Sequence, residues 1–313
     1  MTLTELRYIV AVARERHFGR AAEKCYVSQP TLSVAIRKLE EELGVPLFER
    51  GSTEVTVTPV GKRIVEQAQR VLEEASAIKH IAAAGKDELT GPLRLGAIYT
   101  IGPYLMPQLI VQMRRRAPRM PVLIQENYTS TLGDMLKQGE LDVVILSLPW
   151  AQPGIITQAV YDEPFRVVVP AHHAWAGKAR IPTAELCREN LLLLSSGNCF
   201  RDQVLQLCRG AERSTDTSMQ ESLEGGSLET IRQMVASGVG VTVLPSTAAE
   251  APVLDRRLLA VRPLSPGMPS RRVALAWRKS FPRRRALEAL RLAILACKLP
   301  GVTLLPEAKE VAG

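Results

Sequence analysis

The 313-residue sequence contains no uninterrupted apolar run of the roughly 18 residues that a membrane-spanning helix requires. Its first six residues do not combine a basic head with an apolar stretch, so no secretory signal is visible. We therefore expect no contact with a membrane and a location in the cytoplasm.

Clustered cysteine is also lacking. The five cysteines lie at wide spacings without a neighbouring group of histidines, which fits neither a disulfide framework nor a zinc site. No nucleotide-binding motif appears either. We expect neither a metal nor a cofactor, and the sequence gives no support to an enzyme built on them.

An excess of charge is absent from the N-terminal region, although the whole chain carries a formal net charge of +8. Residues 1–58 contain 8 basic and 8 acidic residues, and residues 59–89 contain 5 of each. The surplus lies in residues 90–313, which contain 27 basic and 19 acidic residues. Any DNA binding by the N-terminal region must therefore depend on a few well-placed side chains rather than on bulk charge.

Residues 1–58 are predicted to form three short helices and a small wing. Ser28 is a good N-cap for the third helix, and Pro30 falls in its first turn, where the missing N–H costs nothing. The short connection between the second and third helices has helix-turn-helix spacing. The β-like alternation in residues 54–58 indicates the wing.

A long helix is predicted to begin at residue 59 and to end near residue 85. Apolar residues recur along it at steps of three and four, as a contact between two helices requires. This seam contains Ile64, Ala68, Val71 and Ala75. Because no helix of similar length is predicted nearby, we interpret residues 59–89 as a linker helix for dimerisation. Packing of the helix onto its own domain is the alternative.

Beyond residue 90, strands and helices alternate, which predicts an α/β region with open sheets. Buried strands are predicted at residues 93–100, 121–128, 141–148, 165–170, 191–195, 239–245 and 272–277. The chain length suits about two or three units of ordinary size, and we expect two sub-regions here, between which the chain crosses near residues 163–165 and again near 267–270. The expected bounds are 90–163 with 269–301, then 164–268, then a C-terminal tail at 302–313.

Five motifs in the first 61 residues resemble the DNA-binding head of LysR-type transcriptional regulators. They read FGRAA, SQPTLS, LEEELG, LFER and TPVG, and they begin at Phe18, Ser28, Leu39, Leu47 and Thr58. The remainder is similar to the regulatory module of that family, which resembles periplasmic binding proteins. The resemblance implies an α+β winged helix-turn-helix head, a long linker helix and an α/β module of two subdomains. It also implies double-stranded promoter DNA and RNA polymerase as partners.

The third helix presents polar residues near its N-terminus, on the side away from its apolar stripe, where they can reach base edges and phosphates. The polar candidates are Gln29, Thr31, Ser33 and Arg37, and Pro30 in the same turn is a further candidate for DNA contact. The resemblance adds Arg50, which it implies lies against the minor groove at the start of the wing. For each single residue, a solvated polar face is the alternative interpretation.

Residues 197–203, followed by Cys208, are similar to the corresponding segment of the hydrogen-peroxide-sensing members of this family. The resemblance implies an activator in which peroxide oxidises Cys199 to a sulfenic acid that Cys208 resolves as a disulfide. Where such proteins often carry His before the reactive cysteine, this sequence has Asn198.

Cys199 is predicted to begin a helix that ends near Cys208, with Arg201 close by. A helix N-terminus and a cation both favour the nucleophilic thiolate. Nine helical residues rise about 13–14 Å, whereas a disulfide needs Cα atoms within about 7 Å. A bond between these two cysteines would therefore require the helix to unwind. Packing roles are expected for the other cysteines, Cys25, Cys187 and Cys297.

Two threonines are predicted at strand ends, where α/β sheets bind ligands. Thr100 ends the first strand, Thr129 begins the helix after the second, and Asp202 follows Cys199 by three residues. The resemblance implies that these three residues bind peroxide. Ordinary strand-end hydroxyls and a helix N-cap are the alternatives.

Assembly is expected from the seam of the long helix and from apolar faces of two regulatory helices, on which Ile110, Ile231 and Val235 lie. The resemblance implies a homotetramer, a dimer of dimers that pairs through the linker helix and through the regulatory modules. Core packing is the alternative explanation of the apolar faces.

Two other functions remain open. The chain could be a LysR-type regulator that responds to a small organic effector, with Cys199 and Cys208 incidental, or it could be a thiol peroxidase. The helix-turn-helix opposes the second alternative because a peroxidase does not need it.

Overall fold

The computed structural model describes residues 1–50, 55–84, 87–186, 188–208, 224–251 and 257–313. The predicted packing residue Cys187 lies outside these ranges. Contacts divide the chain into two compact units, one formed by the N-terminal region and one by the regulatory region. Within the described ranges, no helix is both long enough and apolar enough to cross a membrane.

The N-terminal unit has the helices and the hairpin that the sequence predicts. Its described elements are α1 (Leu3–Glu15), α2 (Phe18–Lys24), α3 (Gln29–Leu43), β1 (Phe48–Arg50), β2 (Val55–Val57) and α4 (Pro59–Ala84). Strands β1 and β2 pair antiparallel as the wing. The winged helix-turn-helix prediction is therefore confirmed.

Helix α3 begins and ends at the residues that its sequence signals indicate. The Ser28 hydroxyl accepts a hydrogen bond from the Thr31 backbone N–H at 3.3 Å, which satisfies one of the free donors of the first turn. Gly44 ends the helix with a φ of 69°, a left-handed conformation that glycine adopts without a steric penalty. Leu32 and Ile36 are fully buried in the core of the head.

The first turns of α4 pack onto the head itself. Ala68 is buried in the head core, and Ile64 packs against that core together with Leu72. The prediction of Ala68 as a dimer contact is therefore wrong, because the head core buries it. Ile64 and Ala75 are half-buried and Val71 is exposed, so these three stay predicted contacts.

The regulatory unit alternates strands and helices. Its first described elements are β3 (Leu93–Ile98), α5 (Gly102–Arg116), β4 (Val122–Asn127), α6 (Thr129–Lys137), β5 (Val143–Leu148) and β6 (Ile155–Pro170). The next are β7 (Ile181–Pro182), α7 (Thr183–Leu186), β8 (Leu193–Leu194), α8 (Cys199–Leu207), β9 (Glu224–Gly225) and α9 (Leu228–Ala236). The last are β10 (Thr242–Pro245), α10 (Ser246–Ala249), β11 (Leu259–Ser265), β12 (Ser270–Arg278), α11 (Arg284–Leu295), β13 (Thr303–Leu304) and β14 (Glu310–Ala312).

Strand β6 runs through both parts of this unit. Its first half pairs with β12, and its second half pairs with β10 and β11. Two apolar cores lie along it, one on residues 93–161 and 273–297 and the other on residues 165–264. The sequence predicted a strand only at 165–170, since the preceding residues 155–164 contain charged and polar side chains. The α/β fold with two subdomains is confirmed.

The structure corrects two further expectations. Strand β4 was expected to be buried, but it is an edge strand that pairs only with β3 among the described strands and exposes Leu123. Part of the expected tail forms strands, because β13 and β14 both pair with β6.

Two expected interface residues lie inside the second core. Ile231 and Val235 are 1% and 0% exposed, because α9 turns this face towards β6 and β10. A partner chain cannot reach them, so their prediction as interface residues is wrong. Ile110 on α5 is exposed and stays a candidate.

Candidate functional site

The candidate DNA-reading surface is the N-terminal part of α3. Gln29, Pro30, Thr31 and Arg37 are exposed there, and Ser33 is half-buried. The Thr31 and Ser28 hydroxyl oxygens lie 2.7 Å apart, so these two side chains fix each other at the helix start. Short polar groups held at a helix N-terminus suit contacts with base edges and phosphates in a major groove.

The turn before α3 adds a residue that the sequence analysis missed. Tyr26 has a φ of 57°, and its side chain is 96% exposed. A tyrosine hydroxyl in this position can donate to a phosphate. The backbone of Arg50 ends β1, the first wing strand, and the side chain of Arg50 lies outside the described atoms.

Cys199 lies at the junction of the two regulatory cores. It is the first residue of α8, where the partial positive charge of the helix N-terminus favours an anion. Its half-buried side chain packs against the first core, whereas the next residue, Phe200, is buried in the second. Cys208 is the C-cap of the same helix and packs against the second core.

Thr129 contacts the Cys199 sulfur directly. Its Oγ1 donates to Cys199 Sγ at 3.6 Å, from the first residue of α6. The structure thus brings together two residues that are 70 positions apart in the chain. A hydroxyl donor beside a sulfur can stabilise a thiolate or orient a small oxidant.

Thr100 is held by a buried arginine that the sequence analysis missed. Arg271 donates from Nη1 to Thr100 Oγ1 at 2.7 Å and from Nη2 to the Thr100 carbonyl at 2.9 Å. Its Nε donates to Glu163 Oε2 at 2.8 Å, and both charged side chains are fully buried. The Arg271 guanidinium also lies 5.4 Å from the centre of the Phe200 ring. Thr100 is therefore connected to α8 through Arg271.

The Glu163 carboxylate also accepts hydrogen bonds from Thr247, on the oxygen that does not face Arg271. Its Oε1 accepts from the Thr247 backbone N–H at 3.0 Å and from the Thr247 hydroxyl. A buried ion pair is tolerated when its remaining hydrogen-bonding capacity is used in this way. Glu163 on β6 and Arg271 on β12 face each other across the strands, so the pair lies where the chain crosses between the cores.

The remaining predicted site residues lie within three positions of Cys199 in the chain, and their side chains make separate contacts. Asn198 is buried and donates from Nδ2 to the Ser195 carbonyl at 3.0 Å, which closes the loop before α8. Arg201 donates to the Leu194 carbonyl and pairs with Glu224, so its charge is directed to that carboxylate. Asp202 is exposed on the first turn of α8.

Two more contacts join the subdomains near this site. Gln203 of α8 donates from Nε2 to Ser147 Oγ at 3.0 Å. The Tyr104 hydroxyl donates to Glu229 Oε1 at 3.1 Å. Burial, together with the Glu229 carboxylate, raises the pKa of Tyr104, so this hydroxyl keeps its proton and remains a donor.

Two other cysteines have environments that suit packing. Cys297 is buried, donates to the Ala293 carbonyl at 3.3 Å, and has a pKa that burial raises to about 11. Burial also raises the pKa of Cys25, which packs against the head core. A raised pKa lowers the thiolate fraction, so both thiols are poor nucleophiles near neutral pH.

No group of three or more metal-ligating side chains is present among the residues that the structure describes. Among the contacts that the structure gives, Thr129 Oγ1 reaches Cys199 Sγ, while Thr100, Asn198 and the Arg271–Glu163 pair bind other partners. A sulfur beside a hydroxyl donor at a helix N-terminus suits chemistry with a small polar reactant.

Comparison with known proteins identifies both units. A family model described as the bacterial regulatory helix-turn-helix protein, lysR family, matches residues 3–62, and the LysR substrate binding domain model matches residues 86–296. The Escherichia coli K12 DNA-binding transcriptional dual regulator OxyR is 40% identical over 296 residues, 95% of each chain. A Dickeya chrysanthemi hydrogen peroxide-inducible genes activator is 40% identical over 290 residues, 93% of each chain.

Solved structures agree with these matches. A full-length cysteine-to-aspartate variant of Pseudomonas aeruginosa OxyR is 52% identical with a TM-score of 0.75, and the match covers 97% of this chain and 98% of that one. A cysteine-to-serine variant of Corynebacterium glutamicum OxyR bound to H2O2 is 34% identical with a TM-score of 0.61, covering 94% and 93%. The chain therefore belongs to the LysR family of bacterial transcriptional regulators and, within it, to the group of the OxyR proteins.

Proposed function

We propose that this chain is a transcription activator that hydrogen peroxide switches on by oxidising Cys199. The observation that carries the proposal is the contact between Thr129 Oγ1 and Cys199 Sγ at the N-terminus of α8, the helix that Cys208 ends. The relatives named as hydrogen peroxide-inducible activators, and the related structure bound to H2O2, support the same reactant.

The first step is attack of the Cys199 thiolate on one oxygen of peroxide. The O–O bond breaks, an S–O bond forms, and the leaving hydroxide takes up a proton to become water. Sulfur is oxidised to sulfenic acid while the peroxide oxygen is reduced. Thr129 supports this step as a donor at the sulfur, and Thr100 and Asp202 are the further proposed peroxide contacts.

The second step is attack of the Cys208 thiol on the Cys199 sulfenic acid. An S–S bond forms, the S–O bond breaks, and the hydroxyl leaves as water with the thiol proton. Because nine helical residues separate the Cα atoms of the two cysteines by about 13–14 Å of rise, α8 must unwind before the bond can close. The covalent bond thereby selects a second local fold.

Intact mass before and after a small excess of peroxide tests this chemistry. We expect a loss of about 2 Da, the two thiol hydrogens of a disulfide, and a Cys199–Cys208 link in the peptide map. The matched variant Cys208→Ser should react at Cys199 without that loss. A wild-type chain whose mass and peptide map do not change would support a regulator that responds to a small organic effector.

The DNA partner is proposed to be double-stranded promoter DNA, read by Gln29, Pro30, Thr31, Ser33 and Arg37 on α3 and by Arg50 on the wing. Because the head is neutral, single contacts carry much of the affinity. Ser33→Asn and Arg50→Ala should each bind promoter DNA several-fold more weakly in a footprint titration, while Arg116→Ala, which removes the same charge from the regulatory region, should not. Unchanged footprints for both head variants would overturn the assignment.

Assembly into a homotetramer, contact with RNA polymerase and action in the cytoplasm complete the proposal. The candidates for contacts between subunits are Ile64, Val71, Ala75 and the exposed Ile110. Refolding at α8 would change how two regulatory modules meet and so shift the spacing of the heads on DNA. An identical footprint with and without peroxide would contradict this. We expect stoichiometric oxidation rather than enzymatic turnover.

A further inference from the structure

Two exposed aromatic side chains lie beside the Cys199 site. Strands β3 and β4 are parallel, and Ile98 pairs with Asn127 at the end of their register. The residues that follow, Tyr99 and Tyr128, therefore leave the sheet side by side. Their ring centres are 5.3 Å apart at an interplanar angle of 80°, an edge-to-face pair.

Tyr128 lies beside the loop that leads into α8. A Cβ placed on Gly197 would lie 3.7 Å from two atoms of the Tyr128 ring, so the ring stands on the side of Gly197 where a side chain would project. Gly197 has a φ of 92°, a conformation that favours glycine. Thr100 follows Tyr99 and Thr129 follows Tyr128 in the chain. The two rings therefore lie next to the proposed peroxide site, but neither ring takes part in the reaction.

The two ends of α8 belong to different cores. Cys199 packs against the first core and Thr129, whereas Cys208 packs against the second core. A disulfide needs Cα atoms within about 7 Å. If Cys199 moves towards Cys208, its sulfur leaves the first-core contacts. Gly197 precedes Cys199 by two residues, so the same movement would displace it from the Tyr128 ring.

We propose that Tyr128, supported by Tyr99, is a positioning residue that holds the loop at residues 195–198 in its reduced arrangement and thereby sets how readily the Cys199–Cys208 disulfide forms. The inference rests on the proposed function, since it concerns the second step of that reaction. The contact stabilises the reduced form and is absent from the disulfide form. Removing the ring therefore favours oxidation.

The test uses the full-length chain equilibrated in dithiothreitol buffers of graded oxidised fraction. An aromatic contact of this kind corresponds to about a 3- to 10-fold change in an equilibrium constant. Tyr128→Ala should shift the equilibrium towards the disulfide by that factor, and Tyr99→Ala should shift it in the same direction by less. The matched variant Tyr128→Phe keeps the ring and should remain within about twofold of wild type.

A second readout separates positioning from a role in the peroxide reaction. In a Cys208→Ser background, the rate of Cys199 sulfenylation should change less than about twofold with Tyr128→Ala, because the Thr129 contact remains. A large loss of that rate with an unchanged disulfide equilibrium would overturn the inference, as would an equilibrium that does not move. A wild-type chain that forms no disulfide with peroxide would instead overturn the proposed function itself.

Discussion

At its Cys199 end, α8 contacts both cores of the regulatory unit, through Thr129 and Ser147 of the first and through Phe165 of the second. At its Cys208 end, Leu205, Leu207 and Cys208 pack against the second core. A helix attached in this asymmetric way cannot bring its two ends together without losing contacts between the cores. A Cys199–Cys208 disulfide would therefore change the contact between the subdomains and not one loop alone.

The largest expected effect comes from the buried ion pair below the Cys199 end. Arg271→Met leaves the Glu163 carboxylate buried without its partner, which should lower the free energy of unfolding by about 3–5 kcal/mol. Urea unfolding followed by tryptophan fluorescence measures this, because all three tryptophans lie in the regulatory region.

The neighbouring arginine provides the matched control. Arg272 makes an exposed pair with Asp162, so Arg272→Met should cost less than about 1 kcal/mol. Equal losses for the two variants would mean that the buried pair does not anchor the Cys199 end.

The second prediction concerns the sulfur itself. Thr129→Val keeps the shape of the side chain but removes the donor at Cys199 Sγ, and a hydrogen bond to a charged group is worth about 1.5–3 kcal/mol. We expect Cys199 sulfenylation to slow by about tenfold or more. Thr131→Val, two residues further along α6, is the control, and a wild-type rate for Thr129→Val would remove Thr129 from the site.

A smaller effect is expected at the Cys208 end. Leu207 packs partly against the second core, so Leu207→Ala should weaken the last turn of α8 by about 1 kcal/mol. The disulfide should then form several-fold more readily, while the rate of Cys199 sulfenylation stays the same. Leu304→Ala removes an exposed leucine and is the control. A slower first step in Leu207→Ala would show that the two ends are not independent.

Local signals in the sequence predict much of this structure. Ser28, Pro30 and Gly44 mark the bounds of α3 because capping depends on residues within one turn. The apolar spacing between Cys199 and Cys208 predicts α8, which is also a signal within a few turns of chain. The head motifs are short and follow one another in order, so they identify the family without any contact between distant residues.

Contacts set by strand register could not be predicted. Glu163 and Arg271 are 108 residues apart and meet only because β6 and β12 pair in one particular register. The adjacency of Tyr99 and Tyr128 depends in the same way on β3 and β4. The spacing of apolar residues also does not show whether the core of the same chain or a partner chain covers a helix face. For this reason the prediction of Ile231 as an interface residue is wrong.

The last prediction compares the reactivity of two thiols. Cys199 is half-buried, whereas Cys297 is buried. Iodoacetamide at neutral pH should therefore alkylate Cys199 faster than Cys297, as peptide mass mapping over time can measure.

Cys297 supplies the reference within the same chain. Burial raises its pKa to about 11, so near neutral pH its thiolate fraction is below about one in a thousand, and its alkylation should be slower than that of Cys199. Raising the pH towards 11 should speed the alkylation of Cys297, since the thiolate fraction of a weak acid rises until the pH passes its pKa. If Cys297 reacted as fast as Cys199 at neutral pH, burial would not control the order of reaction.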